Sequence, residues 1–406
     1  MARVLDGIKV VSFGLVISAP STARMLTDLG ADIIKVEPTE GDVMRKIRPI
    51  VKDDRGEIQS GIFTALNCGE KSIAVDLKNP DACAAVKKLI VEWADVVIAN
   101  FKPGTLAKFG LDYETISREN PGIIYGEISG YGQKGPWKDR GAYDICVQSE
   151  CGITAQNGSW GGKPHRVGFS VLDYGTGRDL AIGILGALFY RERTGRGQHV
   201  DCSLYNTGVT LLEDTIPGWD LEKALGKPVG SRHASASPHN LYKTKDGYIN
   251  IIAINDMLWG RLCDMMGKPE LKEDPVIGRA LDRLDHMDEV DEVVESWTKE
   301  HTTDEVADLM DKFKLPRGKL QNIREIIECE QTVYWNMTPK VQQPHVPDGI
   351  RVNNCPIKYS DSETDIRGTA PLLGEHNREV ICDILGYPDE FLKKLESEGG
   401  AKGDQV

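Results

Sequence analysis

Apolar and polar positions repeat in a strand–helix order through the first half of the chain. Short apolar runs predict strands at residues 9–13, 33–36, 72–77, 96–99 and 123–128. A helix is predicted to start at Ser18 and to stop at Gly30, because Pro20 fits a first helical turn and glycine ends helices. Strands that alternate with helices predict a parallel sheet covered on both faces. We therefore expect an α/β, Rossmann-like domain whose ligand lies at the carboxyl ends of the strands.

The pattern changes after Tyr205. Residues 241–252 predict a β-hairpin that turns at Asp246-Gly247, and helical periodicity follows at 257–266 and 287–298. Because 406 residues exceed one simple core, two domains are expected. The predicted boundaries are 1–218 for a large α/β domain, 219–325 for a small α+β domain, and 326–406 for a return to the large domain with C-terminal helices.

Composition narrows the possible partners. The net charge of −13 argues against nucleic-acid binding but allows a small anionic ligand held by a few lysines. Nine cysteines without a C-x-x-C pair, and a start without an apolar leader, predict reduced thiols and a cytoplasmic location. The eight histidines lack ligand spacing, so we expect no metal site. No apolar run approaches the ~18 residues of a membrane span.

One glycine-rich string resembles the dinucleotide-binding fingerprint. Residues 130–135 (GYGQKG) follow a predicted strand, but residues 136–141 predict a loop rather than a helix. The fingerprint works by placing a pyrophosphate at a helix N-terminus. We therefore do not expect NAD or FAD to bind there.

An acid stands at the start of a long helical pattern. Asp173 lies between a short apolar run and small residues, and apolar periodicity continues to Phe189. Aspartate is a preferred N-cap, and first-turn N–H groups favour its ionised form. The local pattern leaves two interpretations open: Asp173 only caps a helix, or it is a poised nucleophile.

A series of short strings, taken in order, carries a family resemblance. They are residues 5–10 (LDGIKV), 29–37 (LGADIIKVE) with 41–42 (GD), 100–104 (NFKPG), 130–133 (GYGQ), 141–144 (GAYD), Asp173 with Gly177, 195–198 (GRGQ) and 370–376 (APLLGEH). With them the chain resembles the class III coenzyme A transferases, of the formyl-CoA and carnitine CoA-transferase type. Each string is common alone, whereas the ordered set is specific.

The resemblance implies a transferase in which Asp173 is the nucleophile. Asp173 would attack a donor acyl-CoA, giving a mixed anhydride and free CoA thiolate. The thiolate would convert the aspartyl carbonyl to an enzyme-bound thioester, and an acceptor carboxylate would then collect the CoA through a second anhydride. CoA is a substrate carrier here, and no cofactor or metal is implied.

The resemblance also assigns roles to other residues. Tyr143 and Asp144 match a Tyr–acid pair that lines the acyl pocket and supports the nucleophile; a packed ring beside a surface acid is the competing interpretation. The basic residues on the CoA phosphates are matched by Lys102 and Lys108, and merely solvated lysines are the competing interpretation. The first turn, where the backbone meets the CoA, is matched by Ile17 and Ser18. An active-site asparagine is matched by Asn100, and an asparagine that only closes a turn is the competing interpretation.

Two departures bear on the substrate. Leu15 and Ile17 stand where the formyl-CoA enzymes carry polar side chains, which favours an aromatic or branched aliphatic acid, such as a 2-hydroxy acid, over formate or oxalate. Residues 234–240 replace a glycine-rich gating loop of those enzymes, so no gating residue is assigned.

Two other functions stay open. An α-methylacyl-CoA racemase or epimerase of the same superfamily would use a His–Asp pair as acid and base. Tyr143 takes the place of that histidine, and a side chain with a pKa of ~10 is a poor base at neutral pH. A non-catalytic CoA-binding protein is the third possibility, against which Asp173 and Tyr143 argue.

The quaternary structure of the family implies a homodimer. Its two chains are interlocked, with the site at the subunit interface. The long connections at 205–240 and 320–350 are compatible with such wrapping. The expected partners are therefore an acyl-CoA, a carboxylic acid and a second copy of the chain, with no nucleic acid or membrane.

Overall fold

A computed structural model describes residues 2–402 of the chain. The first stretch of elements runs β1 (Lys9–Phe13), α1 (Ser18–Asp28), β2 (Asp32–Glu37), β3 (Ile50–Lys52), β4 (Ile58–Ser60), α2 (Gly61–Asn67), β5 (Lys71–Ala74), α3 (Pro80–Lys88), β6 (Val96–Ala99), α4 (Tyr113–Glu119), β7 (Ile124–Ser129), α5 (Asp144–Glu150), α6 (Ile153–Gln156), α7 (Val171–Thr194), β8 (His199–Ser203) and α8 (Leu204–Thr210).

The remaining elements alternate less regularly. They are α9 (Thr215–Glu222), β9 (His239–Lys243), β10 (Tyr248–Ile252), α10 (Asp256–Met265), α11 (Asp282–Asp285), α12 (Met287–Thr298), α13 (Thr303–Lys312), β11 (Arg317–Lys319), α14 (Ile323–Glu328), α15 (Glu330–Tyr334), β12 (Lys340–Val341), β13 (Ile350–Arg351) and α16 (Asp389–Ser397). Short 3₁₀ segments lie at Val43–Lys46, Leu106–Phe109 and Pro269–Glu273, and π-helical segments at Leu89–Trp93 and Glu379–Ile384.

Within residues 2–402, six parallel strands form the main sheet, in the order β5-β2-β1-β6-β7-β8. The α/β prediction is thereby confirmed, with a strand at each of the five predicted positions. The sixth strand, β8, was not predicted, because its sequence HVDCS lacks a continuous apolar run. As an edge strand it pairs only with β7, so it does not need the apolar character of a strand buried on both faces.

The order of the strands reverses between β1 and β6. Val10 pairs with Ile33 of β2 on one side and with Val96 of β6 on the other. In open α/β sheets a ligand crevice forms beyond the carboxyl ends of the strands at such a reversal. Gly14 and Asn100, which follow β1 and β6, therefore mark where a site is expected.

Alternate residues of each central strand enter different hydrophobic clusters. Val11 and Phe13 pack with α3 and the C-terminal Leu395, whereas Val10 packs with α1 and with Leu180 of α7. Side chains in a strand point alternately to opposite faces, so the two clusters cover the two faces of the sheet. Burial of each such side chain contributes about 1.5–3 kcal/mol.

The chain divides into two compact units. The first comprises Met1–Ile153, Val167–Asp214 and Glu330–Val406, and the second comprises Thr154–Arg166 and Thr215–Cys329. Thus the segment 154–166, which the sequence interpretation placed in the large domain, belongs to the second unit. Its periodicity does not reveal this, because the segment is mostly turns rather than helix or strand.

The second unit has its own sheet and core. Its strands β11, β10 and β9 are antiparallel, and β9 and β10 form the predicted hairpin. Helices α10, α12 and α13 bury Trp259, Val294 and Met310 against it. In the described part of the chain, residues 2–402, no helix is long and apolar enough to cross a membrane.

Candidate active site

Asp173 lies in the first turn of α7, but it is not the N-cap. Ser170 occupies the N-cap position, makes no side-chain cap hydrogen bond, and is followed by Val171 as the first helical residue. Asp173 is therefore the third residue of the helix. The interpretation in which Asp173 only caps this helix is therefore wrong, because another carboxylate already occupies the donors of this turn.

That carboxylate belongs to Asp144, the first residue of α5. Its Oδ2 accepts hydrogen bonds from the backbone N–H groups of Leu172 at 2.7 Å and Asp173 at 3.1 Å. The Asp144 side chain is buried, and its Oδ1 accepts from the side-chain amide of Gln148. Gln148 in turn accepts from the backbone N–H of Val167 at 2.8 Å. A fixed carboxylate thus caps α7 from a neighbouring helix and leaves the carboxyl of Asp173 free.

The carboxyl of Asp173 is half-buried and unusually basic. Burial, and secondarily the negative charge of Asp144, raise its pKa from 3.8 to about 7. We expected the helix start to favour the anion, and this expectation is wrong in direction. The first-turn donors that would stabilise an anion are occupied by Asp144, so desolvation and like-charge repulsion prevail.

Tyr143 lies at the N-cap of α5, beside Asp144 in sequence. Its side chain is 73% exposed, so Tyr143 does not pack in the core. Nearby, the side-chain ammonium of Lys102 lies 4.0 Å from the position that a Cβ of Gly141 would occupy. The loop after β6 therefore approaches the segment that leads to Tyr143.

The turn between β1 and α1 is held by Asn100. The side-chain carbonyl of Asn100 accepts from Leu15 N–H at 2.9 Å, and its amide donates to the Leu15 carbonyl at 2.7 Å and to Ser18 Oγ at 3.1 Å. Asn100 thus closes a turn, as one sequence interpretation proposed. That turn lies at the reversal in strand order, where the site is expected. Asn100 therefore combines a structural contact with a position at the expected site.

Helix α1 brings Ser18 against the helix that carries Asp173. A Cβ on Gly177 would lie 2.0 Å from Ser21 Oγ and 2.8 Å from the Ser18 carbonyl, so only glycine fits this contact. Thr22 Oγ1 also donates to the Gly177 carbonyl at 2.9 Å. Residues four apart share one helix face. Asp173 therefore lies one turn before Gly177, on the side of α7 that faces the start of α1.

The N-terminus of α1 carries no side-chain cap. Ile17 is the N-cap residue and cannot accept a hydrogen bond through its side chain, and the third helical residue, Pro20, has no N–H. Ser18 and Ala19 therefore present first-turn N–H groups that no side chain of the described chain caps. Such groups stabilise negative charge.

The two predicted lysines differ in their surroundings. Both follow β6 and are exposed, with Lys102 in the loop near Gly141 and Lys108 in the 3₁₀ segment Leu106–Phe109. The structure thus relates Asp173, Asp144, Ser18 and Asn100 through direct or shared contacts. It leaves Tyr143, Lys102 and Lys108 on the surface, where their assigned roles stay predictions.

A buried charge network near the β1–α1 turn was missed. Lys35 is fully buried, donates to the Gly14 carbonyl and lies 3.3 Å from Asp42, and Glu37 forms a bidentate pair with Arg45. The sequence carried an indication of it, because a lysine inside the apolar run of β2 requires a buried partner.

Titratable groups elsewhere do not form a metal-like cluster. Within residues 2–402, no group of three or more His, Cys, Asp and Glu side chains is arranged to hold a metal ion.

Residues 130–143 form a loop after β7, as predicted, so the glycine-rich string does not open a helix.

Comparisons with known proteins agree with the resemblance in the sequence. The family description CoA-transferase family III matches residues 5–377. A succinyl-CoA–D-citramalate CoA-transferase from Chloroflexus aurantiacus is 33% identical over 398 residues, covering 98% of each chain. A succinate–glutarate CoA-transferase from Agrobacterium fabrum is 32% identical over 388 residues, covering 94% of this chain and 95% of the relative.

A solved structure extends the similarity to the whole fold. The crystal structure of a CaiB/BaiF family protein from Brucella suis superposes with a TM-score of 0.85 at 32% identity, covering 95% of this chain and all of that one. Matches of this length and identity, over the segments that build the site around Asp173, establish the family. The chain belongs to CoA-transferase family III.

Proposed function

We propose that this enzyme transfers CoA between carboxylic acids through covalent intermediates on Asp173. The observation that carries the proposal is the position of its carboxyl: half-buried, in the first turn of α7, with a pKa raised to about 7. A carboxylate is a weak nucleophile in water, and desolvation makes it more basic and more reactive. With this pKa, about half of the molecules carry the reactive anion at neutral pH.

The first half-reaction exchanges the thioester for an enzyme thioester. A carboxylate oxygen of Asp173 bonds to the donor carbonyl carbon, the C–S bond breaks, and CoA leaves as a thiolate. The thiolate then attacks the aspartyl carbonyl carbon, the anhydride C–O bond breaks, and the donor acid leaves as its carboxylate. Asp173 now holds CoA as a thioester.

The second half-reaction repeats these steps in reverse order with the acceptor. The acceptor carboxylate attacks the aspartyl thioester and releases the thiolate, and the thiolate attacks the acceptor carbonyl to restore the Asp173 carboxylate. Each attack places negative charge on a carbonyl oxygen. The first-turn N–H groups of Ser18 and Ala19 are candidate donors for that charge, since preorganised backbone donors commonly contribute several kcal/mol.

We propose the CoA thioester of a short dicarboxylic acid as donor. Relatives of this chain are named for succinyl-CoA with citramalate or mesaconate, and for succinate with glutarate. For the acceptor we propose a branched 2-hydroxy acid, because Leu15 and Ile17 give the β1–α1 turn an apolar lining. A dicarboxylic acid larger than oxalate is proposed as well, because relatives are named for citramalate and glutarate. Lys102 and Lys108 are proposed to contact the CoA phosphates, and Tyr143 the acyl group.

We further propose a homodimer. The connections 211–225 and 320–335 carry exposed large apolar side chains, among them Leu221, Leu225, Ile323 and Tyr334, which are 71–83% exposed. We take these exposed apolar side chains as support for an interface with a second copy of the chain. Light scattering should give twice the chain mass of 44.8 kDa, and a mass of one chain would contradict the proposal.

The substrate proposal is tested by incubating the enzyme with succinyl-CoA and a panel of acids. We expect new acyl-CoA thioesters to appear in proportion to succinate release, fastest with a dicarboxylic or branched 2-hydroxy acceptor. Transfer only to aromatic acids or to unbranched monocarboxylic acids would contradict the substrate class but keep the reaction. Deuterium entering the acyl α-position without any transfer would instead favour the racemase.

A further inference from the structure

The turn between β1 and α1 contains a strained residue. Val16 has a φ of +66°, and within residues 2–402 it is the only β-branched residue among the non-glycine positions with positive φ. This conformation is costly for an L-residue, and most costly for a β-branched one. Backbone strain of this kind persists only where surrounding contacts enforce it, and such positions cluster at functional sites.

Buried side chains enforce this conformation. The Asp42 carboxylate accepts the Val16 N–H at 3.2 and 3.3 Å, and it also accepts from Met44 N–H at 3.0 Å. Asp42 is 1% exposed and is itself oriented by its backbone N–H, which donates to Glu37 at 3.0 Å. Leu15, which precedes Val16, is hydrogen-bonded through its backbone N–H and its carbonyl to the side chain of Asn100. Helix α1 begins at Ser18, two residues after Val16.

We propose that Asp42 is a positioning residue for the transferase site: by holding Val16 in the left-handed conformation, it sets the direction in which the first turn of α1 presents its N–H groups. This inference rests on the proposed function of Asp173. Without the Asp42 acceptor, Val16 is expected to relax to negative φ. That relaxation would move the uncapped start of α1 relative to Gly177 and Asp173.

The size of the effect follows from the strain. The cost of a left-handed L-residue corresponds to about a 5- to 30-fold shift between two loop conformations. Asp42→Ala is therefore expected to slow labelling of Asp173 by an acyl-CoA by about this factor. Asp42→Asn is the matched control, since it also removes the charge opposite Lys35 but keeps an oxygen that can accept from Val16.

Glycine at position 16 supplies the decisive test. Glycine adopts positive φ without strain, so Val16→Gly should restore labelling in the Asp42→Ala background to within about threefold of wild type. Val16→Ala should not restore it, because alanine keeps the Cβ. If an unpaired Lys35 prevents Asp42→Ala from folding, the same exchanges are made in Lys35→Met/Asp42→Ala, which contains no unpaired buried charge from this pair.

The outcomes separate this inference from the proposed function. Failure of Val16→Gly to restore labelling, equal restoration by Val16→Ala, or equal impairment by Asp42→Asn and Asp42→Ala would each overturn the positioning role. If none of the acyl-CoA thioesters tested labels the wild-type enzyme, the proposal that Asp173 is the nucleophile fails. Urea unfolding then still tests the Asp42–Val16 contact. Val16→Gly should raise the midpoint of wild type, in which Val16 is held in the strained conformation, more than that of Asp42→Ala, in which Val16 has already relaxed, and an equal change would contradict it.

Discussion

The carboxylate of Asp144 accepts the backbone N–H of Asp173 at 3.1 Å, although 29 residues separate them in sequence. One acid thus holds the helix turn on which the other acid stands. The contact orients the Asp173 backbone. Burial and, secondarily, the nearby negative charge of Asp144 raise the pKa of the Asp173 carboxyl. The orientation of the proposed nucleophile and part of its basicity therefore depend on the same neighbour.

Asp144→Asn should separate these two effects. The amide oxygen can still accept from the first turn of α7, but the negative charge is gone. We expect the pH midpoint of acyl-CoA labelling at Asp173 to fall below 7 while remaining above about 4, because burial, the larger cause of the raised pKa, is unchanged. The measurement is the labelling rate against pH. An unchanged midpoint would show that Asp144 does not act on Asp173 through charge.

Asp173→Asn should make the protein more stable at neutral pH. The folded state keeps this carboxyl protonated up to about pH 7, whereas the unfolded chain ionises it near 3.8. Between those values the folded state binds more protons, so the free energy of unfolding of the wild type falls as pH rises. Asp173→Asn does not lose stability in this way, so its free energy of unfolding at pH 8 should exceed that of the wild type by about 2–4 kcal/mol. Urea unfolding at pH 3.5 and 8 checks this: a gain at pH 3.5 as large as at pH 8 would contradict it.

Asn100→Asp and Asn100→Ala should both weaken the β1–α1 turn. Aspartate keeps the acceptor for Leu15 N–H but loses the donors to the Leu15 carbonyl and Ser18, and alanine loses all three contacts. We expect a loss of stability of about 1–3 kcal/mol for alanine, and slower Asp173 labelling in both. Labelling at the wild-type rate in the alanine variant would mean that the turn does not position reacting groups.

Gly177→Ala should disrupt the contact between α1 and α7. The added methyl would lie 2.0 Å from Ser21 Oγ and 2.8 Å from the Ser18 carbonyl, so the helices must separate. We expect a clear fall in melting temperature together with lost labelling. Gly260→Ala in α10 is the control, since its methyl would meet only the end of the Lys272 side chain at 3.9 Å. Alanine at this position inside a helix should raise the free energy of unfolding by about 0.5–1 kcal/mol. Equal behaviour of the two variants would contradict the close contact.

Local patterns were sufficient for most of the fold. The strands of the large sheet that are buried on both faces form short apolar runs, and the hairpin of the second unit is marked by Asp246-Gly247. Strand β8 was not predicted from the sequence, because an edge strand does not require an apolar run. The place of residues 154–166 could not be predicted either, since a segment of turns shows no periodicity from which its partner follows.

The site was harder to predict than the fold. Asp173 could be selected from its position at a helix start and from the family strings. Whether Asp173 only caps that helix stayed open, because local sequence cannot show that the carboxylate of Asp144 occupies the donors of that turn. The same limit applies to Asp42: its hydrogen bond to Val16 joins residues 26 apart, and neither residue shows strain in the sequence.

The most direct test of the Asp173 mechanism is the intact mass of the enzyme after mixing with succinyl-CoA, for wild type and for Asp173→Ala. We expect an adduct on the wild type that maps to Asp173, is removed by hydroxylamine, forms faster as pH rises through about 7, and is absent from the variant. An adduct that persists in Asp173→Ala, or acyl transfer at the wild-type rate by that variant, would contradict it.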